Sequence, residues 1–221
     1  RSRAVTMSEN AVQLAAFPPD YRRSSGPLRA LYLGRLLRYK GVETALRALA
    51  RLRSTADVHL DVVGNGPDRA RLEALVHELG VADSVVFHGA VPVHEVAERM
   101  RACDVYVFPS VRESGGSTVM EAMAAGKPVI VANHGGPAET VTAECGFALD
   151  ADSPAALEEA LVNRLGLLAR DEDLRSSMGR AARLRVEEHY TWDKKVAQML
   201  VHYRDARSGS VPVTLVRLAM E

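Results

Sequence analysis

Short apolar runs alternate along this chain with segments whose apolar residues recur at helical spacing. The runs Ala30 to Leu33, Val58 to Val63, Val85 to Phe87, Val105-Tyr106-Val107-Phe108 and Val129 to Val131 each open into a loop, and an amphipathic stretch follows. Runs this short and this dense predict buried strands. The stretches Val42 to Leu52, the one ending at Leu79, and those starting at Val93, just after Gly116 and near Pro137 predict helices. Strand and helix in regular alternation imply a parallel sheet covered on both faces. The expected fold class is therefore α/β, a Rossmann-like parallel sheet with helices on both faces.

After Gly146-Phe147-Ala148-Leu149 the strand pattern stops. Ser153-Pro154 reads as a cap and first helical residue, and three helices are expected, through Leu168, from Asp171 to about Glu188, and from Thr191 to about Tyr203. These form a C-terminal helical annex on the sheet domain. Residues 1–27 carry Pro18-Pro19 and Ser24-Ser25-Gly26-Pro27 and read as a linker, residues 28–206 as the folded unit, and 207–221 as a tail. The chain opens Arg1-Ser2-Arg3 rather than with methionine and is expected to be a fragment.

With 221 residues, 47% of them hydrophobic, the chain can bury a full core. Lys and Arg number 28 and so do Asp and Glu, so no excess positive charge is available for nucleic acid or for a broad basic membrane face. The two cysteines, Cys103 and Cys145, lack metal-type spacing and read as buried thiols of a reducing compartment. The seven histidines show no pairing of metal-ligand type, and no metal is expected. Asp150-Ala151-Asp152 and Asp171-Glu172-Asp173 are most simply helix-start acids.

Ligands of an open parallel sheet bind outside the carboxyl ends of its strands. The loops found there carry Gly34-Arg35 with Lys40-Gly41, Gly64-Asn65-Gly66-Pro67, Gly89-Ala90-Val91-Pro92, and the segment from Glu113 to Glu121. Arg35 and Lys40 could converge on a diphosphate, although lone surface cations are usually solvated. The amides of Gly116, Ser117 and Thr118 suit an anion at a helix start, and the glycines Gly115 and Gly116 let it come close. Glu121, on the helix face of Ser117 and Thr118, could accept hydroxyls of the same ligand. Each glutamate taken singly could merely complement the helix dipole. Both around Gly115-Gly116-Ser117-Thr118 read as a sugar-nucleotide pocket. His134, before Gly135-Gly136-Pro137, could touch phosphate or sugar or simply face water. A G-x-G-x-x-G fingerprint fails at Arg69, Gly126-Lys127 is followed by Pro128 and so is no P-loop, and no G-x-S-x-G elbow surrounds Ser110 or Ser117.

The ordered set Gly34-Arg35 with Lys40-Gly41, Val63 to Pro67, Val86-Phe87-His88-Gly89, Phe108-Pro109-Ser110, Glu113 to Glu121, Ala122 to Ile130, and Gly135-Gly136-Pro137-Ala138-Glu139 resembles the C-terminal donor-binding half of retaining family 4 glycosyltransferases of GT-B fold, the glycosyl transferases group 1. The resemblance runs from about Leu28 to Ala206, and Glu9 to Pro18 is similar to the connector that enters this half. It implies that Arg35 and Lys40 hold the diphosphate and act in catalysis with Glu113, which contacts the transferred sugar. It implies further that Glu121 binds the ribose, that Gly34, Gly64, Gly66 and the backbone of Gly115 to Thr118 line the donor site, and that Val91 flanks the base. Where the family commonly has Gly-Phe-Gly after the first glutamate, this chain has Ser114-Gly115-Gly116.

On this resemblance the chain is the donor domain of a retaining, hexosyltransferase-like enzyme of carbohydrate biosynthesis. It would need no cofactor or metal beyond its nucleoside-diphosphate sugar. A missing N-terminal domain would supply the acceptor site, for a glycan, a lipid-linked or a small-molecule acceptor, and the isolated chain would be inactive. Its last helix would pack toward that half. The alternatives are a sugar-nucleotide epimerase of the same fold and a noncatalytic nucleotide-sugar-binding or partner module. The expected location is cytoplasmic, with peripheral membrane association through the missing half as a variant of it.

Overall fold

The structure, a computed structural model, describes residues 3–4, 10–21, 26–207 and 213–214. Two short strands, β1 (Arg3–Ala4) and β8 (Val213–Thr214), form a separate parallel pair. The main sheet has six parallel strands: β2 (Leu28–Leu33), β3 (Val58–Val63), β4 (Val85–Gly89), β5 (Val105–Phe108), β6 (Val129–Ala132) and β7 (Gly146–Leu149). Between and after them come α1 (Val42–Leu52), α2 (Arg69–Glu78), α3 (Val93–Ala102), α4 (Ser117–Ala124), α5 (Gly135–Thr140), α6 (Pro154–Arg170), α7 (Glu172–His189) and α8 (Trp192–Arg207). The α/β, Rossmann-like expectation with its helical annex holds.

Strand order is β4-β3-β2-β5-β6-β7. The chain steps outward from β2 to β4, and α3 then carries it back to the other side of β2, where β5 begins the second outward series. Loops leaving β2 and β5 therefore diverge, and a crevice opens at the carboxyl ends of these two neighbours. Every residue of β5 and β6 is buried, as expected for central strands covered on both faces. On one face α1 touches α2 and α6, and on the other α4 touches α3 and α7, so the annex reinforces both helical layers. The α1 stripe of Val42, Ala45, Leu46, Leu49 and Leu52 is buried, and burying such a side chain contributes about 1.5–3 kcal/mol.

The annex helices start where their caps place them. Ser153 accepts from the Ala156 amide at 3.1 Å with Pro154 at the first helical position, and Asp171 accepts from the Leu174 amide at 2.8 Å. The α8 helix is different, for Trp192, Val196, Leu200 and Tyr203 on it are all about half exposed.

Residues 10–21, read from the sequence as part of a linker, lie packed on the domain. Val12 is buried and its amide donates to the Tyr190 carbonyl at 2.9 Å. Arg183 donates to the Phe17 carbonyl at 2.9 Å, and Lys127 to the Asp20 carbonyl at 2.8 Å. A stretch without its own periodicity satisfies its backbone through donors borrowed from the α4 and α7 regions. The lysine of the failed P-loop thus serves as an anchor, and burial lowers its pKa. Of the expected tail, only Arg207 and residues 213–214 lie within the described residues.

Both cysteines are free and buried. Burial pushes the Cys103 thiol up to about 12, so it stays protonated and unreactive at neutral pH.

Candidate functional site at the β2–β5 crevice

The floor of the crevice is aromatic. Tyr32 and Phe108 lie with ring centroids 6.0 Å apart, and Tyr106 and Phe108 6.1 Å apart, in near-parallel planes. Tyrosines within buried strands need partners for their hydroxyls. Tyr32 donates to the Arg35 carbonyl at 2.9 Å, which fixes the turn after β2. Tyr106 donates to the Leu33 carbonyl at 3.0 Å and shares a hydroxyl–hydroxyl hydrogen bond with Thr118 Oγ1 at 2.7 Å. One phenol thus ties the end of β2 to the first turn of α4. Burial raises the pKa of both tyrosines, which therefore remain neutral donors. Tyr32 and Tyr106 were read only as strand-formers in the sequence; the signal available was two tyrosines inside runs otherwise apolar.

The β2 side of the crevice is built by close backbone approach. Gly64 has φ 132°, and a Cβ there would strike the Gly34 carbonyl. A Cβ on Gly66 would crowd the Leu36 backbone, and the Leu36 amide donates to the Asn65 carbonyl at 3.0 Å. The structure therefore sets Gly34, Gly64 and Gly66 against one another as interlocked backbone. Behind them Arg71 donates to both oxygens of Asp68, at 2.7 and 2.8 Å, and to Glu43 at 2.5 Å, fastening α2 to α1. The Asp68 carboxyl is held below its usual range by the Arg71 hydrogen bonds. Burial pushes Glu43 up, but hydrogen bonds from Arg47 and Arg71 outweigh it and leave its pKa lowered. Val91, half-buried, follows β4, which is separated from β2 by β3.

Arg35 is exposed, and its guanidinium has no hydrogen bond or ion pair among the described residues. Lys40 points across the crevice and pairs with Glu113, and the two side chains are only 13% and 16% exposed. Its ammonium also lies 5.3 Å from the Tyr39 ring centroid and 5.4 Å from that of Phe108. The loops that carry the pair are fastened together. The Val111 amide donates to the Tyr39 carbonyl at 3.0 Å, and Gly41, at φ 74°, rests on the Pro109 backbone.

On the β5 side, Gly115 and Gly116 are buried while Ser117 is exposed and Thr118 half-buried. Gly116 adopts φ 60° as the residue before α4, and no side chain caps that helix. Its first amides, at Ser117 and Thr118, are left facing the crevice without an intrahelical acceptor. The loop is braced from behind, because Gly136 donates its amide to the Ser114 carbonyl at 2.9 Å and Pro137 packs on Gly116. Gly135-Gly136-Pro137 is thus a backbone support, and His134 beside it is exposed. Glu121 is half-buried, and its carboxylate makes no hydrogen bond or ion pair among the described residues. Burial alone raises its pKa.

Chemically, the crevice offers two cations, a run of open amides and one desolvated carboxylate with unused acceptor capacity. That set suits a ligand carrying both phosphate and hydroxyl groups. Among the described residues no cluster of three or more His, Cys, Asp or Glu could hold a metal ion, and no helix is long and apolar enough to cross a membrane.

The sequence profile of the family "Glycosyl transferases group 1" matches residues 16–185. A D-inositol 3-phosphate glycosyltransferase of Paenarthrobacter aurescens is 31% identical over 219 residues, which cover 93% of this chain and 52% of that protein. Sucrose-phosphate synthase from Thermosynechococcus elongatus superposes with a TM-score of 0.77 at 30% identity, covering 90% of this chain and 52% of that one. HepE from Anabaena, solved in complex with UDP-glucose, superposes at 0.70 with 24% identity over 80% of this chain and 49% of its own. The chain spans about half the length of the relatives it matches.

Proposed function

The chain belongs to the glycosyl transferases group 1 family, and we propose that it is the donor-binding half of such an enzyme, binding a nucleoside-diphosphate sugar at the β2–β5 crevice. The observation that carries this reading is Glu121, a desolvated carboxylate without a protein partner, one turn inside a helix whose first amides are uncapped. Its free acceptors suit vicinal ribose hydroxyls, while the amides before it and the cations Arg35 and Lys40 suit the two phosphates. A UDP-glucose complex in a protein of the same fold supports the ligand class.

In the proposed reaction the sugar leaves the diphosphate for an acceptor with its anomeric configuration retained. Negative charge develops on the departing phosphate, where Arg35, Lys40 and the α4 amides stabilise it, and Glu113 orients the sugar. These groups already answer the diphosphate charge, so the proposed mechanism requires no metal. The acceptor site belongs to the part of the protein beyond this half, so the 221-residue chain alone is expected not to turn over.

Calorimetry with UDP and GDP tests the ribose assignment. Glu121→Ala should cost roughly 1.5–3 kcal/mol of ribonucleotide binding. The corresponding 2′,3′-dideoxy nucleotides should bind wild type and variant alike. Equal weakening of both ligand types would remove Glu121 from the ribose, and binding abolished by a chelator would defeat the metal-free mechanism.

A further inference from the structure

The Lys40–Glu113 pair poses a problem for any ligand of this site. Both side chains are largely buried, and neither has another hydrogen-bond or ion-pair partner among the described residues. The loops beneath them cannot part easily. Val111 and Ser110 are tied to the Tyr39 carbonyl, Gly41 rests on Pro109, and a Cβ at Gly135 would strike the Glu113 carbonyl. Lys40 can therefore change partners only by side-chain rotation, and whatever it takes up leaves Glu113 to be satisfied anew.

A diphosphate that draws Lys40 away supplies no donor to Glu113. It leaves a poorly hydrated carboxylate without its counter-ion beside a second anion, which costs both desolvation and repulsion. A ligand with hydroxyl groups next to its phosphates removes that cost, because its O–H groups donate to the carboxylate while its phosphate takes the ammonium.

We propose that the Lys40–Glu113 pair is a selectivity element that favours the intact sugar nucleotide over the free nucleoside diphosphate. The proposal rests on the donor-binding reading above. While the sugar is attached, Glu113 is held by sugar hydroxyls and Lys40 is released to the diphosphate. Once the sugar has left, Glu113 reclaims Lys40, and the nucleoside diphosphate loses a cation at the moment it must dissociate. The same contact that stabilises the leaving group thereby limits inhibition by it.

The test compares UDP with UDP-glucose and GDP with GDP-mannose on the full 221-residue chain, wild type and Glu113→Gln. Glutamine keeps the size and an acceptor for Lys40 but removes the charge, so the loop geometry is retained. For the pair of ligands that binds, the variant should hold the free diphosphate more tightly and the sugar nucleotide no better, lowering the preference for the sugar nucleotide about fivefold or more. In a Lys40→Met background the same glutamate change should raise diphosphate affinity clearly less, since only the repulsion between Glu113 and the ligand is then removed and no cation is released. An unchanged preference in Glu113→Gln, or a gain in diphosphate affinity as large without Lys40 as with it, would overturn the proposal. Failure of the donor-binding reading is seen separately, as ribonucleotide affinity that Glu121→Ala does not change, or as no nucleotide binding by wild type, and the latter removes both.

Discussion

The two walls of the crevice are built on opposite principles. On the β2 side, the exposed Arg35 aside, the wall is braced within the protein, with Arg71 between Asp68 and Glu43 and glycine backbones interlocked at Gly34, Gly64 and Gly66. On the β5 side α4 starts without a side-chain cap and Glu121 sits half-buried without a partner. One wall spends most of its polar groups on holding its shape, and the other leaves several of them unmet. Lys40 and Glu113 join the two, and in the proposed function theirs is the charge pair exchanged on binding. A preorganised wall facing an unsatisfied one places the unmet hydrogen-bonding demand where a ligand can meet it, at a cost in stability confined to a few residues.

The sharpest way to break this contrast is to disturb the closed wall at its tightest point. Gly64→Ala demands φ 132° of an L-residue and drives its methyl into the Gly34 carbonyl, which is backbone and cannot yield. A loss of about 3 kcal/mol or more is expected. Gly116→Ala on the open wall also meets a positive φ, but its methyl faces the Pro137 ring rather than backbone, and it should cost only about 1–2 kcal/mol. Urea unfolding of both variants decides it, and the reverse order would refute the distinction.

Removing the charge that organises the closed wall should have the next largest effect. Arg71→Met leaves Asp68 and Glu43 facing each other's charge without their cation, and about 1–2 kcal/mol is expected at pH 7 once solvent access to Arg71 and Glu43 is allowed for. Both carboxyl pKa values are lowered in the folded protein, so the stability they contribute is complete above their unfolded values, near 4, and is lost as pH falls through the folded ones. The gap between wild type and variant should therefore close between about pH 5 and pH 2, as read by denaturant midpoints. A gap that widens in acid contradicts the assignment.

The smallest effect should carry the opposite sign. Glu121 has a raised pKa, so ionising it costs stability as pH rises through and above the carboxylate range. Glu121→Gln should stabilise the ligand-free protein by up to about 1 kcal/mol at neutral pH, with the gain shrinking in acid, while weakening ribonucleotide binding. Thermal melts in acid, at or below the ordinary carboxylate range of about pH 4, and at neutral pH, each with and without UDP, would show it. A destabilised variant at neutral pH would mean that Glu121 is satisfied inside the protein.

Much of this fold was legible in the sequence because periodicity is local. The run Val105 to Phe108 and the stripe from Val42 to Leu52 announce strand and helix within a few residues, and the structure places β5 and α1 on them. The caps at Ser153 and Asp171 were equally local. Residues 10–21 were less legible, since nothing in their own composition shows that Arg183 and Lys127, far along the chain, supply their hydrogen bonds.

By itself, then, the sequence determined the alternation of strand and helix, the loops where chemistry could gather, and the residue types able to meet phosphates and hydroxyls. Only the tertiary structure decided which of those residues are spent and which are free. Nothing along the chain shows that Glu113 is paired with Lys40 while the Glu121 carboxylate has no hydrogen-bond or ion-pair partner among the described residues. Gly64 and Gly66 are packed against the Gly34 and Leu36 backbones, a contact between two loops that neither loop's own residues announce. The physical reason is that strand order brings β2 beside β5 only after the crossover through α3, and hydrogen bonding, burial and charge pairing are settled between those neighbours in space.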